Sequence, residues 1–280
     1  PAVKYAAVKD LRGQLSEVRA CAALKVSRAG YRKFLAHKPG KRQQRQDELL
    51  KLIKRSFYNS RETYGCRRVY EELRKQGHEC SLNTVASLMK KHKISPKRKR
   101  KYRSTTDSKH NLPIKNNILD REFKQLKPHS AWVSDITYIE TREGWLYLAA
   151  FIDLYSHKVV GWAADKTMTA ELVIEAYKAA TKGEGTTPLL VHSDRGSQYA
   201  SDLFRNLLKS TNCIQSMSRT GNCWDNAVAE SFFGALKSEL VHRTSFQTRD
   251  DAQVALFDYI EIFYNRRRLH SALGYLSPVD

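Results

Sequence analysis

Three acidic residues in the second half of this 280-residue chain could act together: Asp135, Asp194 and Glu230. Asp135 lies in AWVSDITYIE beside Trp132, Val133, Ile136 and Tyr138. An acid among such neighbours is costly to bury unless a cation or hydrogen bonds compensate. Asp194 follows the apolar run LLVHS and opens a glycine-containing loop. Strand ends of that kind are where ligands collect in α/β folds. Glu230 sits in WDNAVAESFFGALK, a helical pattern that puts Asn226, Glu230 and Lys237 near one side. Three carboxylates on a strand, a strand end and a helix form the oxygen-rich set that Mg²⁺ prefers. A pair of such ions, about 3.5–4 Å apart, can activate one oxygen and stabilise the leaving one in phosphoryl transfer.

The elements that must hold these residues follow from hydrophobic patterning. AWVSDITYIE, WLYLAAFID and VVGWAA are three strands in series, joined by tight turns into an antiparallel meander. A helix over 169–181, a strand at PLLVHS, a helix over 199–210 and a strand at CIQSMS come next. A long helix from Asp225, which reads as its N-cap, and a last helix over 248–265 complete the chain. The pattern predicts an α+β fold, a five-stranded mixed sheet flanked by helices, preceded by an all-α region.

That preceding region differs in charge. Residues 1–127 hold 34 Lys and Arg against 11 Asp and Glu, whereas residues 128–280 hold 15 against 18. The formal net charge of +20 is therefore confined to the first half, which attracts a polyanion such as DNA or RNA through counterion release. With 41% hydrophobic residues the chain has material for a packed core, which excludes a disordered basic tail. Residues 1–40 read as a helix-turn-helix, with Lys25 in the turn where glycine is frequent. Residues 41–95 read as a second helical DNA-binding unit; its last helix carries Asn83, Thr84, Ser87, Lys90 and Lys91 for bases or phosphates. Residues 96–127 read as an extended basic linker, in which Lys97, Arg98, Lys99 and Arg100 could track a phosphate backbone. The core spans 128–243, and 244–280 form a C-terminal helix and tail.

The five cysteines form no CxxC pair and fit no zinc-finger spacing, so reduced thiols are expected. No apolar run is long enough to span a bilayer and no secretion signal opens the chain, which points to a cytoplasmic protein without membrane partners.

The order Asp-x58-Asp-x35-Glu on these elements resembles the catalytic core of DDE transposases and retroviral-type integrases, which share the RNase H-like fold. The segments WVSDITYI, FIDLYSHKVVGW, VHSDRGSQY, SRTGNCWDNAVAESFFGALKSE and YNRRRLHSALGYLSP resemble the OrfB part of insertion-sequence transposases of the IS three family. The resemblance is dense over 128–280 and looser over the helical region. It implies that Asp135, Asp194 and Glu230 are the catalytic, metal-binding triad, with two Mg²⁺ per site and Mn²⁺ able to substitute. It places the family's basic residue seven after the glutamate on Lys237, as a contact to the transposon end; an alternative reading pairs that lysine with Glu239. Arg195, Gln198 and Asn226 are candidates to touch DNA or to orient the carboxylates, and Arg266 and Arg267 are further candidate DNA contacts. The implied reaction is cleavage freeing a 3′-OH and then transesterification, on terminal inverted repeats and target DNA, by a homo-oligomer. A copy-out, paste-in route and an upstream-frame partner protein belong to the same expectation. The alternatives are an integrase or nuclease of the same fold, or a DNA-binding regulator with an inactive core. Two other residues near the site have structural readings: Asp153, a rival acid with Ser156 for a local partner, and His192, on the strand of Asp194.

Overall fold

Apolar residues alternate faces along the strands, and that alternation builds two cores on one sheet. The structure is a computed structural model describing residues 2–36, 40–96, 112–220 and 222–280. Strands β1 (Ala131–Thr141), β2 (Gly144–Asp153), β3 (Val159–Asp165), β4 (Leu190–Ser193) and β5 (Ile214–Met217) form one sheet in the order β3-β2-β1-β4-β5. The β1–β2 and β2–β3 pairs are antiparallel; β1–β4 and β4–β5 are parallel. This is the five-stranded mixed sheet expected from the patterning.

The helical region comprises α1 (Ala2–Asp10), α2 (Glu17–Ala23), α3 (Arg28–Ala36), α4 (Lys41–Asn59), α5 (Cys66–Lys75) and α6 (Leu82–Lys91). In the core the helices are α7 (Ala170–Glu184), α8 (Ser197–Ala200), α9 (Asp202–Ser210), α10 (Ala227–Glu239) and α11 (Arg249–Phe257). One face of the sheet presents Val133, Ile139, Leu148 and Ile152 to Phe232, Phe233 and Leu236 of α10 and to Leu256 of α11. The other presents Trp132, Phe151 and Val191 to Tyr177 of α7 and Phe204 and Leu208 of α9. A Cβ at Gly161 on β3 would lie 2.3 Å from the Ala180 backbone nitrogen, so only glycine lets α7 approach that closely.

Several elements differ from the sequence reading. The helix expected over 199–210 is broken: Ser201 is extended and its hydroxyl accepts from Phe204 N–H, capping α9 anew. The last helix changes at Asp258–Tyr264 to a π-helix, with Asn265 N–H donating to Ile260 O at 3.0 Å. Beyond it the Asn265 amide donates to Val159 O at 2.9 Å and accepts from Val159 N–H at 3.0 Å, docking the segment on the edge strand. Helix α1 has no counterpart in the expected pattern.

The chain divides into two compact units, Pro1–Arg55 and Ser56–Asp280. In the first, Val8, Ala20, Cys21 and Tyr31 form a small core for α1–α3. Ser16 caps α2, and Lys25 in the turn between α2 and α3 adopts φ 50°, the left-handed conformation usually left to glycine. In the second, α5 and α6 are in contact and bury Val69, Leu73, Val85 and Leu88. Tyr64, just ahead of α5, is buried and reaches the C-terminal segment: its hydroxyl donates to Arg267 O at 3.1 Å and accepts from Leu269 N–H at 2.7 Å.

Candidate active site

Parallel pairing sets the first two acids side by side. Ser134 on β1 is in register with Ser193 on β4, so Asp135 and Asp194 each follow by one residue. Strand alternation turns Asp135 to the same face as Val133, the face that α10 covers. Asp135 Oδ1 accepts from Ile136 N–H at 2.7 Å, and Asp194 Oδ1 accepts from Gly196 N–H at 2.9 Å. A Cβ at Gly196 would come within 3.0 Å of that Asp194 oxygen, so the loop stays tight against the carboxylate.

Glu230 lies exposed in the first turn of α10. The start of that helix is tied to β1 by Asn226, whose amide donates to Ser134 O at 3.1 Å, one residue before Asp135. Behind the strands, Ser134 and Tyr199 share a buried 2.7 Å hydrogen bond.

The electrostatics are those of crowded acids. Burial, then the Asp194 carboxylate, push Asp135 well above the ordinary carboxylate range; Glu230 adds to this, while Ile136 N–H and Lys237 oppose it. Burial also raises Glu230. Lys237 is buried, with Nζ 4.5 Å from the Tyr138 ring centroid, and burial pushes its ammonium down to about 8 against the pull of Asp135. Glu239, the partner in the alternative reading, is held by Arg268 with two bonds of 2.8 and 2.7 Å.

Among the described residues, no three His, Cys, Asp or Glu side chains converge closely enough to hold an ion as arranged. The donor set nonetheless suits a hard divalent cation. It is all oxygen, and the mutual repulsion registered at Asp135 is what added positive charge relieves.

The other expected contacts are distributed unevenly. Arg195 donates from Nε to Ser218 O at 2.7 Å, and Gln198 donates to Met168 O at 3.1 Å. Asn226 is buried rather than presented to solvent. Arg266 and Arg267 are exposed, as are Asn83, Ser87, Lys90 and Lys91 along α6. Lys97, Arg98, Lys99 and Arg100 lie outside the described residues. Asp153 is buried, accepting from His129 N–H and from the Ser156 N–H and hydroxyl, so local bonds occupy it. His192 is wholly buried between the Ser216 and Ser218 hydroxyls, and burial lowers it to about 4.

Asp225 is not the helix cap that its position suggested. Its buried carboxylate pairs with Arg219 and Arg121 and accepts from the Asn117 amide. Partners 104 and 108 residues away leave no local signal, so sequence reading passed over this cluster. The Asn226 tether and the Ser134–Tyr199 bond were missed for the same reason.

Comparison with known proteins agrees with this architecture. The family described as "Integrase core domain" matches residues 125–223, a second family of the same description matches 230–280, and the "HTH-like domain" family matches 44–102. The chain is 44% identical over 260 residues to the "Insertion element IS600 uncharacterized 31 kDa protein" of Shigella sonnei, covering 92% of this chain and 95% of that one. It is 37% identical over 279 residues to "Transposase InsF for insertion sequence IS3A" of Escherichia coli, covering 99% and 97%. Among solved structures, the HTLV-2 integrase catalytic core domain in complex with magnesium matches at 20% identity and a TM-score of 0.43, covering 54% of this chain and 95% of that one.

Proposed function

The chain belongs to the IS3 family of insertion-sequence transposases, and from that premise we propose how its residues carry out DNA transposition. The reading assigns Asp135, Asp194 and Glu230 as a DDE triad for phosphodiester hydrolysis and transesterification. The observation that carries it is the β1–β4 register, in which Asp135 on β1 and Asp194 just past the end of β4 each follow the paired Ser134 and Ser193, with the helix of Glu230 tied to β1 one residue away.

Asp135, Asp194 and Glu230 would hold divalent cations, two Mg²⁺ with Mn²⁺ able to replace them. When bound, these cations supply the positive charge that activates an attacking oxygen and stabilises the departing one. The β1–β4 register fixes the two aspartates relative to each other. Asn226 restrains the approach of Glu230, and Lys237 offers its cation beside them to a DNA phosphate. Attack of water at the element end frees a 3′-OH, and that hydroxyl attacks a second phosphodiester. No covalent bond to the protein is needed.

Residues 1–40 and 41–95 would recognise terminal inverted repeats, with the 96–127 linker along the backbone, while the 128–243 core and 244–280 tail act on the ends. A homo-oligomer on paired ends, a target DNA and an upstream-frame partner complete the proposal, with the cytoplasm as its setting. No helix among the described residues is long and apolar enough to cross a membrane.

The test is Asp194→Asn in the full chain, assayed on duplexes carrying the element's terminal repeat. Mg²⁺-dependent strand transfer is expected to vanish while DNA binding persists. Undiminished transfer would remove Asp194 from the triad.

A further inference from the structure

The four tryptophans are used very differently. Trp132 is fully buried in the sheet core. Trp145 packs edge-on against Tyr138 with ring centroids 5.0 Å apart, and Trp162 donates its indole N–H to Glu261 at 2.9 Å. Trp224 has no aromatic contact or side-chain hydrogen bond among the described residues and is 68% exposed. A singly exposed apolar residue is ordinary in itself. The setting of this one is not.

Trp224 belongs to a single 3-10 turn, Cys223–Asn226, whose next two residues are both buried and held. Asp225 is clamped by Arg219, Arg121 and Asn117, and Asn226 is bonded to the Ser134 carbonyl. The indole is thus presented to solvent just ahead of two anchored residues. Six residues on is Glu230, in the first turn of α10, the helix into which this turn leads. Large, rigid, amphipathic rings held beside a nucleic-acid site serve as stacking platforms, because every base has a π-face and little side-chain entropy is lost.

We infer that Trp224 is a nucleobase-stacking residue of the active site, taking the face of a base next to the phosphodiester that is cut. The inference rests on the transposase reading above and deepens it. Phosphate contacts hold the backbone of a DNA end without fixing the base beside the cut, whereas a stacked base fixes the sugar that carries the reacting oxygen. Stacking on an aromatic face tolerates any base, so Trp224 positions the end more than it reads it.

The experiment uses the full chain and a duplex of the element's terminal repeat, frayed at the cleaved end. It compares wild type, Trp224→Phe, Trp224→Ala and Asp194→Asn in strand transfer, and records tryptophan emission on titration with the DNA. Trp224→Ala is expected to lower strand transfer about 10-fold to 100-fold, the range that one lost base stack implies. Trp224→Phe, which keeps a stacking face, should recover most of that loss. Wild type and Asp194→Asn should both show emission quenched by DNA, and the two Trp224 variants should lose most of that quench. Trp224→Ala transferring strands at the wild-type rate, or quenching as wild type does, overturns the inference. Failure of the wild type to transfer strands would instead count against the transposase reading, and the emission titration would still decide the stacking role.

Discussion

The Arg219 guanidinium grips the buried Asp225 carboxylate at both oxygens, with Nε 2.9 Å from Oδ2 and a terminal nitrogen 2.8 Å from Oδ1. Arg219 N–H donates to Oδ2 as well, and Arg121 Nε reaches Oδ1 at 2.8 Å. Asp225 therefore joins three parts of the chain: the segment ahead of β1, the loop after β5, and the turn that starts α10. Glu230 and Lys237 both project from that helix, so the cluster sets the stage for the site without entering it.

Hydrogen bonds from Arg219, and those of Arg121, hold Asp225 far below the ordinary carboxylate range despite burial. A group depressed in the folded state stabilises it fully above the unfolded value of about 4, and that stability is lost as pH falls through the folded value. Asp225→Asn is expected to lower the melting temperature at pH 7. The gap from wild type should narrow only in strong acid, below about pH 4. Melting curves from pH 2 to pH 7 check this, and a gap that does not change with pH would contradict it.

Arg268 and Glu239 form a second buried pair, with the Tyr259 hydroxyl donating to Glu239 at 2.9 Å. Removing one partner leaves an uncompensated charge, at a cost of about 3–5 kcal/mol. Arg268→Met is expected to destabilise the chain by that order in denaturant unfolding. The double variant Arg268→Met with Glu239→Leu should be more stable than Arg268→Met alone. Equal destabilisation in the two would show that packing, not charge, is what Arg268 contributes.

The outline of fold and site was legible where the signal is local. Hydrophobic patterning, an imperfect alternation in β1 and an apolar run in β2, marked the strands, and Asp135 stood out as an acid inside an apolar strand. A capping residue also stands at the start of α6, where the Ser81 hydroxyl accepts from Thr84 N–H. Contacts between distant segments were not legible. Nothing near Tyr64 in sequence announces that its hydroxyl sits between Arg267 O and Leu269 N–H, which joins α5 to the C-terminal segment. Side-chain type alone also left roles open: Arg195 and Asn226 read as touching DNA or orienting carboxylates, and their side chains bond the protein's own backbone. Periodicity records which face a residue takes, and only tertiary packing decides what it meets there.

Lys237 carries a cost that a contact to DNA would justify. Its ammonium is buried and pushed down to about 8 from an unfolded value of 10.5. The unfolded chain binds this proton more tightly, so the group's unfavourable contribution is complete below about pH 8 and fades as pH rises toward about 10.5. Lys237→Met keeps the long stem against Tyr138 and removes the desolvated charge. It is expected to raise stability at pH 7 by about 2–3 kcal/mol while lowering strand transfer. Urea unfolding at pH 7 and pH 10 checks the sign: the advantage over wild type should shrink at the higher pH. A less stable variant at pH 7 would mean that the cation's contact with the ring outweighs its burial.

Helix α6 buries Val85, Leu88 and Met89 and leaves Asn83, Ser87, Lys90 and Lys91 exposed. Lys90 and Lys91 are in its last turn, where the helix dipole favours cations, so neither needs DNA to be stable there. Because Tyr64 fastens the neighbouring segment to the C-terminal region, the test belongs in the full chain rather than in an isolated helical fragment. If both lysines meet phosphates, each releases about one counterion, and the slope of log K against log salt should become shallower by roughly 0.9 per lysine removed. Lys90→Ala and Lys91→Ala are each expected to weaken binding equally for terminal-repeat and unrelated duplexes, because phosphate contacts carry no sequence information. Ser87→Ala should instead reduce the preference for the terminal repeat while leaving the salt slope unchanged. Titrations at several salt concentrations separate the two behaviours, and an unaltered slope in Lys90→Ala with Lys91→Ala combined would place α6 away from the DNA backbone.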